Sequence, residues 1–203
     1  MIIGTHNSAT GGKLVWWLKP IGGIINLTSK CQNRTITQQL QDGVSWFNLQ
    51  ITWYKNQWRF SHGLALYQED VMATLEELNK HACVFRPIYI QLYLDKSFWG
   101  KKDIERFNLL VQELVDISRD NPYFRLQRVW VEGSDNYYPF SYQISNEEHY
   151  WTLSWAKVNK GFLNKLPLPK YHAKKFNPGY IKNCSHDYLM LDFYNIHYTV
   201  QKA

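Results

Sequence analysis

The 203-residue sequence has few cysteines, fewer acidic than basic residues, and no long apolar run. Its three cysteines, Cys31, Cys83 and Cys184, lie far apart and form no Cys-x-x-Cys pair, so we expect neither a disulfide framework nor a zinc site. No apolar run reaches the roughly 18 residues that span a bilayer. The opening residues have neither the basic nor the apolar region of a secretory signal. By default we place the protein in the cytoplasm or at a membrane surface.

Basic and aromatic residues are in excess. The 23 lysines and arginines against 17 aspartates and glutamates give a formal charge of +6. This charge favours anionic partners such as phospholipid headgroups, nucleic acid or phosphorylated small molecules, with ordinary solubility charge as the alternative. The 9 Trp, 14 Tyr and 10 Phe serve cores first, and also sugar rings, bases and membrane interfaces. The composition excludes a disordered chain, and the length predicts a single domain over residues 1–203.

Strand-like and helix-like segments alternate through the first 130 residues. The spacing of apolar residues and the caps predict helices over 35–42, 68–83 and 102–119. Strands are predicted over 1–5, 44–53, 57–61, 88–94, 125–131, 151–157 and 189–194. Residues 165–175 are predicted to form a basic loop, which attracts anionic lipid or is simply solvated. Strands that alternate with helices indicate a parallel α/β sheet or an α/β barrel.

The predicted strands carry one apolar and one polar face. In 44–53 the polar face holds Asn48 and Gln50, and in 88–95 it holds Gln91, Tyr93 and Asp95. Strands that helices cover on both faces usually read as continuous apolar runs. Two interpretations are left: an open sheet with one wet face, and a barrel whose interior carries a polar site. We favour the barrel.

Two histidines follow predicted strands, where α/β barrels keep their chemistry. His6 lies in Ile3-Gly-Thr-His-Asn-Ser8 and His62 in Phe60-Ser-His-Gly63. Histidine is the natural general acid or base near neutral pH, and phosphodiester cleavage by an internal hydroxyl needs one of each. Asp192, on the polar face of the last predicted strand, is suited to hold one histidine in the required tautomer. Taken alone, a histidine at such a position is more often structural or solvent-exposed than catalytic.

Several segments, in this order, resemble the X region of phosphatidylinositol-specific phospholipase C. They are Ile3-Gly-Thr-His-Asn-Ser-Ala-Thr10, Thr35-Ile-Thr-Gln-Gln-Leu-Gln-Asp-Gly43, Val44-Ser-Trp-Phe-Asn-Leu-Gln-Ile51, Ser61-His-Gly63, the helix and strand over 71–94, and Leu189-Met-Leu-Asp-Phe-Tyr194. The similarity covers residues 1–95 and returns near 188–195. Each motif is weak by itself, and the specificity lies in their order.

The resemblance implies an irregular, partly open TIM-type barrel of the α/β class. It also implies a reaction in which the inositol 2-hydroxyl attacks the phosphorus and expels diacylglycerol. In this assignment His6 is the general base, Asp192 orients it, and His62 is the general acid that protonates the leaving oxygen. Asn7 lies beside them at the phosphate. The implied function is a phospholipase C-like phosphodiesterase, a hydrolase or lyase, acting on an inositol phospholipid or related phosphodiester.

The sequence also departs from the family at charged positions. Bacterial relatives carry Asp where this chain has Asn7, and Arg where it has Gln50. Eukaryotic relatives bind calcium through the Asn of the first motif and acidic residues that match Asn48, Gln50 and Tyr93. Calcium prefers several anionic oxygens, and these four side chains are neutral. We therefore expect them to contact substrate or phosphate, and we expect no calcium or other metal cofactor.

The histidine pair is thus left without an evident cationic partner. Losing one stabiliser of transition-state charge typically costs about 100- to 1000-fold in rate. The basic residues Lys13, Arg59, Arg86 and Lys96 lie near the right segments in sequence, although Arg59 has the opposite strand parity to His62. The alternative to an active enzyme is therefore a catalytically impaired barrel. Such a pseudoenzyme would bind a phosphate or lipid headgroup, or serve as a structural interaction module.

The remaining hypotheses concern partners. Trp16 and Trp17, between Lys13 and Lys19, are candidates for contact with a membrane interface, and burial of both indoles in the core is the alternative. No helix-turn-helix, RNP-like or zinc pattern is present, so we do not expect a nucleic-acid binder. The first motif begins at residue 2 and leaves no segment to close the barrel bottom. A protein partner or a second copy is one way to cover that end.

Overall fold

The computed structural model describes residues 2–95, 98–131, 137–138, 150–151, 169–171, 173–174, 178, 182 and 188–196. The strands in this part of the chain are β1 (Ile2–Thr5), β2 (Trp46–Tyr54), β3 (Gln57–His62), β4 (Ala65–Asp70), β5 (Ile88–Leu94), β6 (Phe124–Val131), β7 (Tyr137–Tyr138), β8 (Tyr150–Trp151) and β9 (Tyr188–Leu191). The α-helices are α1 (Gly22–Ser29), α2 (Ile36–Gln41), α3 (Val71–His81) and α4 (Ile104–Asp120). Short 3₁₀ helices lie at Ser8–Gly11, Trp16–Ile21 and Tyr194–Ile196.

The strands form one curled sheet in the order β7-β6-β5-β2-β1-β9-β8. From β6 to β8 neighbouring strands are parallel, while β7 pairs antiparallel with β6. The β3–β4 hairpin extends from the carboxyl end of β2, where β3 pairs with residues 51–54. The result is the partly open α/β barrel that the sequence predicts. The carboxyl ends of the parallel strands meet at one edge, which we call the upper edge.

The apolar faces of the strands point outward, towards the helices. Phe47 and Leu49 of β2 are fully buried, and so are Leu75 of α3 and Phe107 of α4. All four belong to a single hydrophobic core between sheet and helices. Helical spacing places Leu75 and Phe107 on the inner stripe of their helices, so this packing follows directly from the sequence periodicity.

The lower part of the barrel interior is filled by a separate apolar cluster of Trp46, Tyr89 and Met190. Gly4 of β1 faces this cluster, and a Cβ added there would lie 2.7 Å from the Trp46 ring. The Trp46 side chain therefore requires glycine at this position of β1. Above this layer the interior turns polar: the Asn48 amide donates to Gln91 over 3.4 Å, and Gln91 donates to Gln127 over 3.3 Å.

Several predicted boundaries are corrected by tertiary pairing. The helix predicted over 68–83 begins at Val71, because residues 65–70 pair with β3 as β4. Asp70 ends that strand and caps α3, accepting the Ala73 N–H at 2.9 Å. The capping box predicted at Thr35 is confirmed: Thr35 accepts from the Gln38 N–H, and the Gln38 side chain accepts from Thr35.

At the chain's far end, β9 stops at Leu191. Asp192 therefore follows the last strand instead of lying on its polar face. Of the strand predicted over 151–157 only residue 151 is described, as part of β8, and most of the loop 165–175 lies outside the described residues. No helix in the described ranges is long and apolar enough to cross a membrane.

Candidate active site

His6 and Asp192 meet because β1 and β9 are parallel neighbours in matched register. Thr5, the last residue of β1, pairs with Leu191, the last residue of β9, so the next residue of each chain segment emerges at the same point of the upper edge. His6 Nδ1 lies 2.8 Å from Asp192 Oδ1, and both side chains are buried. The carboxylate accepts the Nδ1–H, which leaves the imidazole lone pair on Nε2.

A buried polar brace holds these two strand ends together. The Gln32 side-chain amide donates to the backbone carbonyls of both His6, at 2.9 Å, and Leu191, at 2.8 Å. The chain then turns sharply at Phe193, which has a left-handed φ of 45° and donates its N–H to the Cys31 carbonyl at 2.7 Å. A left-handed non-glycine residue typically costs about 1–3 kcal/mol and often occurs at a functional site.

His62 faces His6 across the site. It is the last residue of β3, and its Nδ1 donates to the Ser29 carbonyl at 2.7 Å. The two imidazole rings are 6.5 Å apart between centroids, at an interplanar angle of 79°. Asn7 Nδ2 lies between them, 3.1 Å from His62 Nε2 and 3.4 Å from His6 Nδ1. The structure thus brings together the histidine pair, the aspartate and the asparagine that the sequence predicts.

Burial lowers the pKa of His62 below the usual value for histidine, and the positive charge of a protonated His6 lowers it further. The Ser29 carbonyl and the Asp192 carboxylate oppose this shift. Because the net pKa shift is downward, the neutral ring prevails near pH 7. In that form Nδ1 carries the proton and Nε2 accepts from the Asn7 amide.

The predicted phosphate-binding side chains line the inner face below and beside the histidines. Asn48 Oδ1 accepts the Asn7 backbone N–H at 3.1 Å, so it shapes the turn that carries His6. Gln50 and Tyr93 are register partners on β2 and β5, two residues nearer the upper edge than Asn48 and Gln91. Both are partly buried.

This set does not fit the calcium site of the eukaryotic relatives. The four matching side chains offer no anionic oxygen, and the Asn48 oxygen already accepts a backbone hydrogen bond. The predicted substitute cations are also dispersed. Arg59 donates to the Gln68 carbonyl, and Arg86 lies just before β5, at the lower edge. Lys13 is exposed, and Lys96 lies outside the described residues.

Cys31 is a site residue that sequence reasoning missed. It is buried, with Sγ 3.5 Å from Asn7 Nδ2 and 3.9 Å from His62 Nδ1. Burial and the nearby Asp192 charge raise the pKa of the Cys31 thiol well above its usual value, so it is protonated near neutral pH. Only its position shortly after the first motif could have drawn attention to it.

The structure separates the two tryptophans that the sequence treats together. Trp16 is 75% exposed, whereas Trp17 is partly buried against Trp99, with ring centroids 4.6 Å apart. α1, also missed by the sequence analysis, adds two exposed apolar side chains, Ile24 and Leu27. Because the carbonyl of Ser29, the last residue of α1, contacts His62, this apolar surface lies next to the histidine pair.

Comparisons with known proteins bear on the fold that carries this site. No protein-family model matches the sequence, and no curated protein matches it significantly. Among solved structures, a mutant of the phosphatidylinositol-specific phospholipase C from Staphylococcus aureus matches with a TM-score of 0.60 at 11% identity, over 97% of this chain and 86% of that chain. The corresponding enzyme from Listeria monocytogenes matches with a TM-score of 0.57 at 15% identity, over 95% and 87%. The fold that the resemblance implies is confirmed: the chain has the fold of the bacterial phosphatidylinositol-specific phospholipases C.

Proposed function

We propose that the protein is a phospholipase C-like phosphodiesterase acting on an inositol phospholipid or a related phosphodiester. The observation that carries this proposal is the pair of imidazoles 6.5 Å apart, with the Asp192 carboxylate bound to one of them. A pocket that merely binds a headgroup requires neither the second histidine nor the aspartate. The fold of the solved phospholipases adds independent support.

In the proposed reaction, His6 Nε2 removes the proton from the inositol 2-hydroxyl. That oxygen forms a bond to phosphorus, and the bond from phosphorus to the diacylglycerol oxygen breaks. His62 acts from its protonated form, which is the minor form near pH 7 because burial lowers its pKa. It gives its Nε2 proton to the leaving oxygen, so the products are a cyclic inositol phosphate and diacylglycerol. Asp192 stabilises the positive charge that develops on His6. Protonated His62 needs an acceptor, which Asn7 supplies when its amide turns to present Oδ1.

The phosphoryl charge is met by neutral donors in this proposal. In this proposal the amides of Asn7 and Gln50 donate to a phosphate oxygen, and among the described residues no cation takes the place of the arginine that bacterial relatives carry. Because one preorganised charge stabiliser is typically worth about 100- to 1000-fold in rate, we expect turnover slower than that of an arginine-containing enzyme by a factor in this range.

The surface beside the site is suited to peripheral contact with a membrane. Trp16, Ile24 and Leu27 are all more than half exposed, and Lys13 and Lys19 are exposed near them in the chain. Exposed aromatic and aliphatic side chains with flanking lysines are typical of surfaces that enter the headgroup region of a bilayer. A substrate embedded in a membrane would then reach the histidines without leaving it.

A catalytically impaired headgroup-binding module is the second candidate function. The observation that favours it is the neutral inner face, where Asn7, Asn48 and Gln50 stand at positions that carry charge in relatives. In this case the barrel binds a phosphorylated headgroup without cleaving it, and substitution of the histidines leaves the affinity for headgroup nearly unchanged.

Phosphorus NMR of phosphatidylinositol vesicles, with calcium and with chelator, tests the first candidate. The expected result is a cyclic inositol phosphate signal that needs no calcium and vanishes in the His6→Ala, His62→Ala double variant. The matched control is His81→Ala, which removes an exposed histidine at the end of α3 and should retain the signal. Absence of product from this and other phosphodiesters, together with headgroup binding, would establish the second candidate instead.

A further inference from the structure

We propose that His6, Asp192 and Cys31 form a binding site for a thiophilic divalent ion of the zinc class, whose occupancy inhibits the proposed phosphodiesterase. The inhibition rests on the proposed function, whereas the binding of the ion does not. The cluster is distinct from the calcium site of eukaryotic relatives, because its donors are an imidazole, a thiol and a carboxylate.

The three donor atoms already converge. A ring nitrogen of His6, the Cys31 sulfur and an Asp192 carboxylate oxygen all lie within 4.8 Å of one another, and all three residues are buried. Zinc bonds of about 2.0–2.3 Å in tetrahedral geometry place such donors about 3.3–3.6 Å apart. The Cys31 sulfur would move inward by about 1 Å, which is within reach of its one side-chain rotation. With Nδ1 as the ligand, His6 Nδ1 and Asp192 Oδ1 would also separate by about 0.5 Å from their present 2.8 Å.

A fourth donor stands beside the cluster. The Asn7 side-chain oxygen is buried and accepts no hydrogen bond among the described residues. The nitrogen of the same amide lies 3.4 Å from His6 Nδ1 and 3.5 Å from the Cys31 sulfur. Turning the amide by half a revolution exchanges its two ends and places the oxygen towards the three donors. The turn would give that oxygen a partner and complete a four-coordinate shell.

The donor set selects the class of ion. A thiolate with an imidazole suits zinc, cobalt or copper, and is a poor match for magnesium or calcium, which prefer oxygen ligands. The thiolate and the Asp192 carboxylate together offset the double positive charge of the ion, so a buried site is electrostatically balanced. The cysteine spacing from which the sequence predicts no zinc site does not bear on this one, because its ligands come from three distant segments.

Occupancy of this site would remove the general base. His6 uses Nδ1 to donate to Asp192, which keeps its lone pair on Nε2. An ion bound at Nδ1 would move the imidazole proton to Nε2, and an ion bound at Nε2 would take the lone pair itself. In either case the nitrogen that would accept the substrate proton is lost. The Cys31 thiol releases its proton to solvent, and no bond to substrate is involved. Binding and catalysis are therefore mutually exclusive at His6.

Cobalt titration of metal-free protein, followed by absorption, tests the site directly. We expect one equivalent of Co²⁺ to bind with a sulfur-to-cobalt charge-transfer band and the visible bands of four-coordinate cobalt, and Zn²⁺ to displace it. In Cys31→Ser we expect the sulfur band to disappear and the affinity to fall at least about 10-fold, since loss of even an outer partner of a zinc ligand costs about 10- to 100-fold. Cys83→Ser, which alters an exposed thiol, and Cys184→Ser are controls that keep the band.

The second readout is the ratio of phosphodiesterase activity with zinc to activity with chelator, measured for each protein. We expect zinc to suppress the wild type and the Cys83→Ser control at least about 10-fold, and to suppress Cys31→Ser much less. Cys31→Ala, checked for its thermal unfolding, provides a second variant if serine disturbs the buried position.

A wild type without a sulfur–cobalt band, or a band that survives in folded Cys31→Ser and Cys31→Ala, overturns the site. If phosphodiesters are not cleaved at all, the proposed function fails while the cobalt titration still decides the site.

Discussion

Asn7→Asp is expected to raise the pKa of His62 from below its usual value to above it. The Asn7 amide nitrogen lies 3.1 Å from His62 Nε2 and 3.4 Å from His6 Nδ1, so a carboxylate there would bridge both imidazoles. Two unit charges 4 Å apart interact by about 4 kcal/mol at an effective dielectric of 20, which corresponds to about 3 pKa units. Burial of the new carboxylate opposes part of this gain. The expected rise in the His62 pKa is therefore about 1–3 units.

Proton NMR titration of the histidine ring signals measures this change, with the His62 signal assigned by its loss in His62→Gln. Asn33→Asp, which adds the same charge at an exposed position, is the matched control and should leave the His62 titration in place. If the His62 pKa in Asn7→Asp stays within about half a unit of the wild-type value, Asn7 does not govern the acid of this site.

The pH dependence of the free energy of unfolding gives an independent check. Its sign follows from the difference in proton binding between the folded and the unfolded protein. In the wild type the His62 pKa is lower in the folded than in the unfolded protein, so the unfolded chain binds more protons between these two values. His62 therefore adds a slope of up to about 1.4 kcal/mol per pH unit, with stability lost as the pH falls from about 6.5 towards the folded pKa. In Asn7→Asp the His62 contribution reverses: it stabilises below about 6.5 and is lost as the pH rises through the new folded pKa.

Four further substitutions test separate parts of the argument. Asp192→Asn should leave the fold intact and reduce the turnover rate about 10³- to 10⁴-fold, through loss of the required His6 tautomer, as measured by phosphorus NMR. Gln50→Arg should increase turnover at least about 10-fold by supplying a cation to the phosphoryl oxygens, and an unchanged rate would show that Gln50 does not face the phosphate. Trp16→Ala should weaken vesicle binding about 10-fold in a sedimentation assay and leave the melting temperature unchanged. Gln32→Ala should lower the free energy of unfolding in urea by about 1–3 kcal/mol, because the His6 carbonyl loses the Gln32 donor and the Leu191 carbonyl keeps only the His6 N–H; a loss below about 0.5 kcal/mol would contradict the brace.

Local chemistry was sufficient to predict much of the framework. The capping box at Thr35, the alternation in β2 and β5 and the apolar stripe of α4 each depend on residues close together in the chain. The structure has all three, although both faces of β2 and β5 are largely buried, one in the outer core and one in the interior. The boundary between β4 and α3 was not predictable in this way. Residues 68–70 continue the helical pattern of 71–82, and only pairing with β3 draws them into a strand.

The candidate site was likewise predictable from the sequence only in part. Positions just past predicted strands drew attention to His6 and His62, and the polar face of the last predicted strand drew attention to Asp192. Their roles came from the resemblance to the phospholipase family. The brace from Gln32 and the carbonyl of Ser29 were not visible, because a side-chain amide or a backbone oxygen carries no sequence signature. Cys31 was read as one of three isolated thiols, and it became a site residue only through contacts with Asn7 and His62.

The sequence by itself determined the alternation of strands and helices, the polar and apolar faces of the strands, and the histidine pair with its aspartate, because these follow from periodicity and from the chemistry of single residues. Only the tertiary structure decided that the polar faces line a barrel, that Trp16 is exposed while Trp17 packs against Trp99, and that a thiol joins the histidines. These features depend on the β1–β9 register and on loops that bring distant residues within a few ångströms. Such distances are set by packing of the whole chain and not by any local pattern.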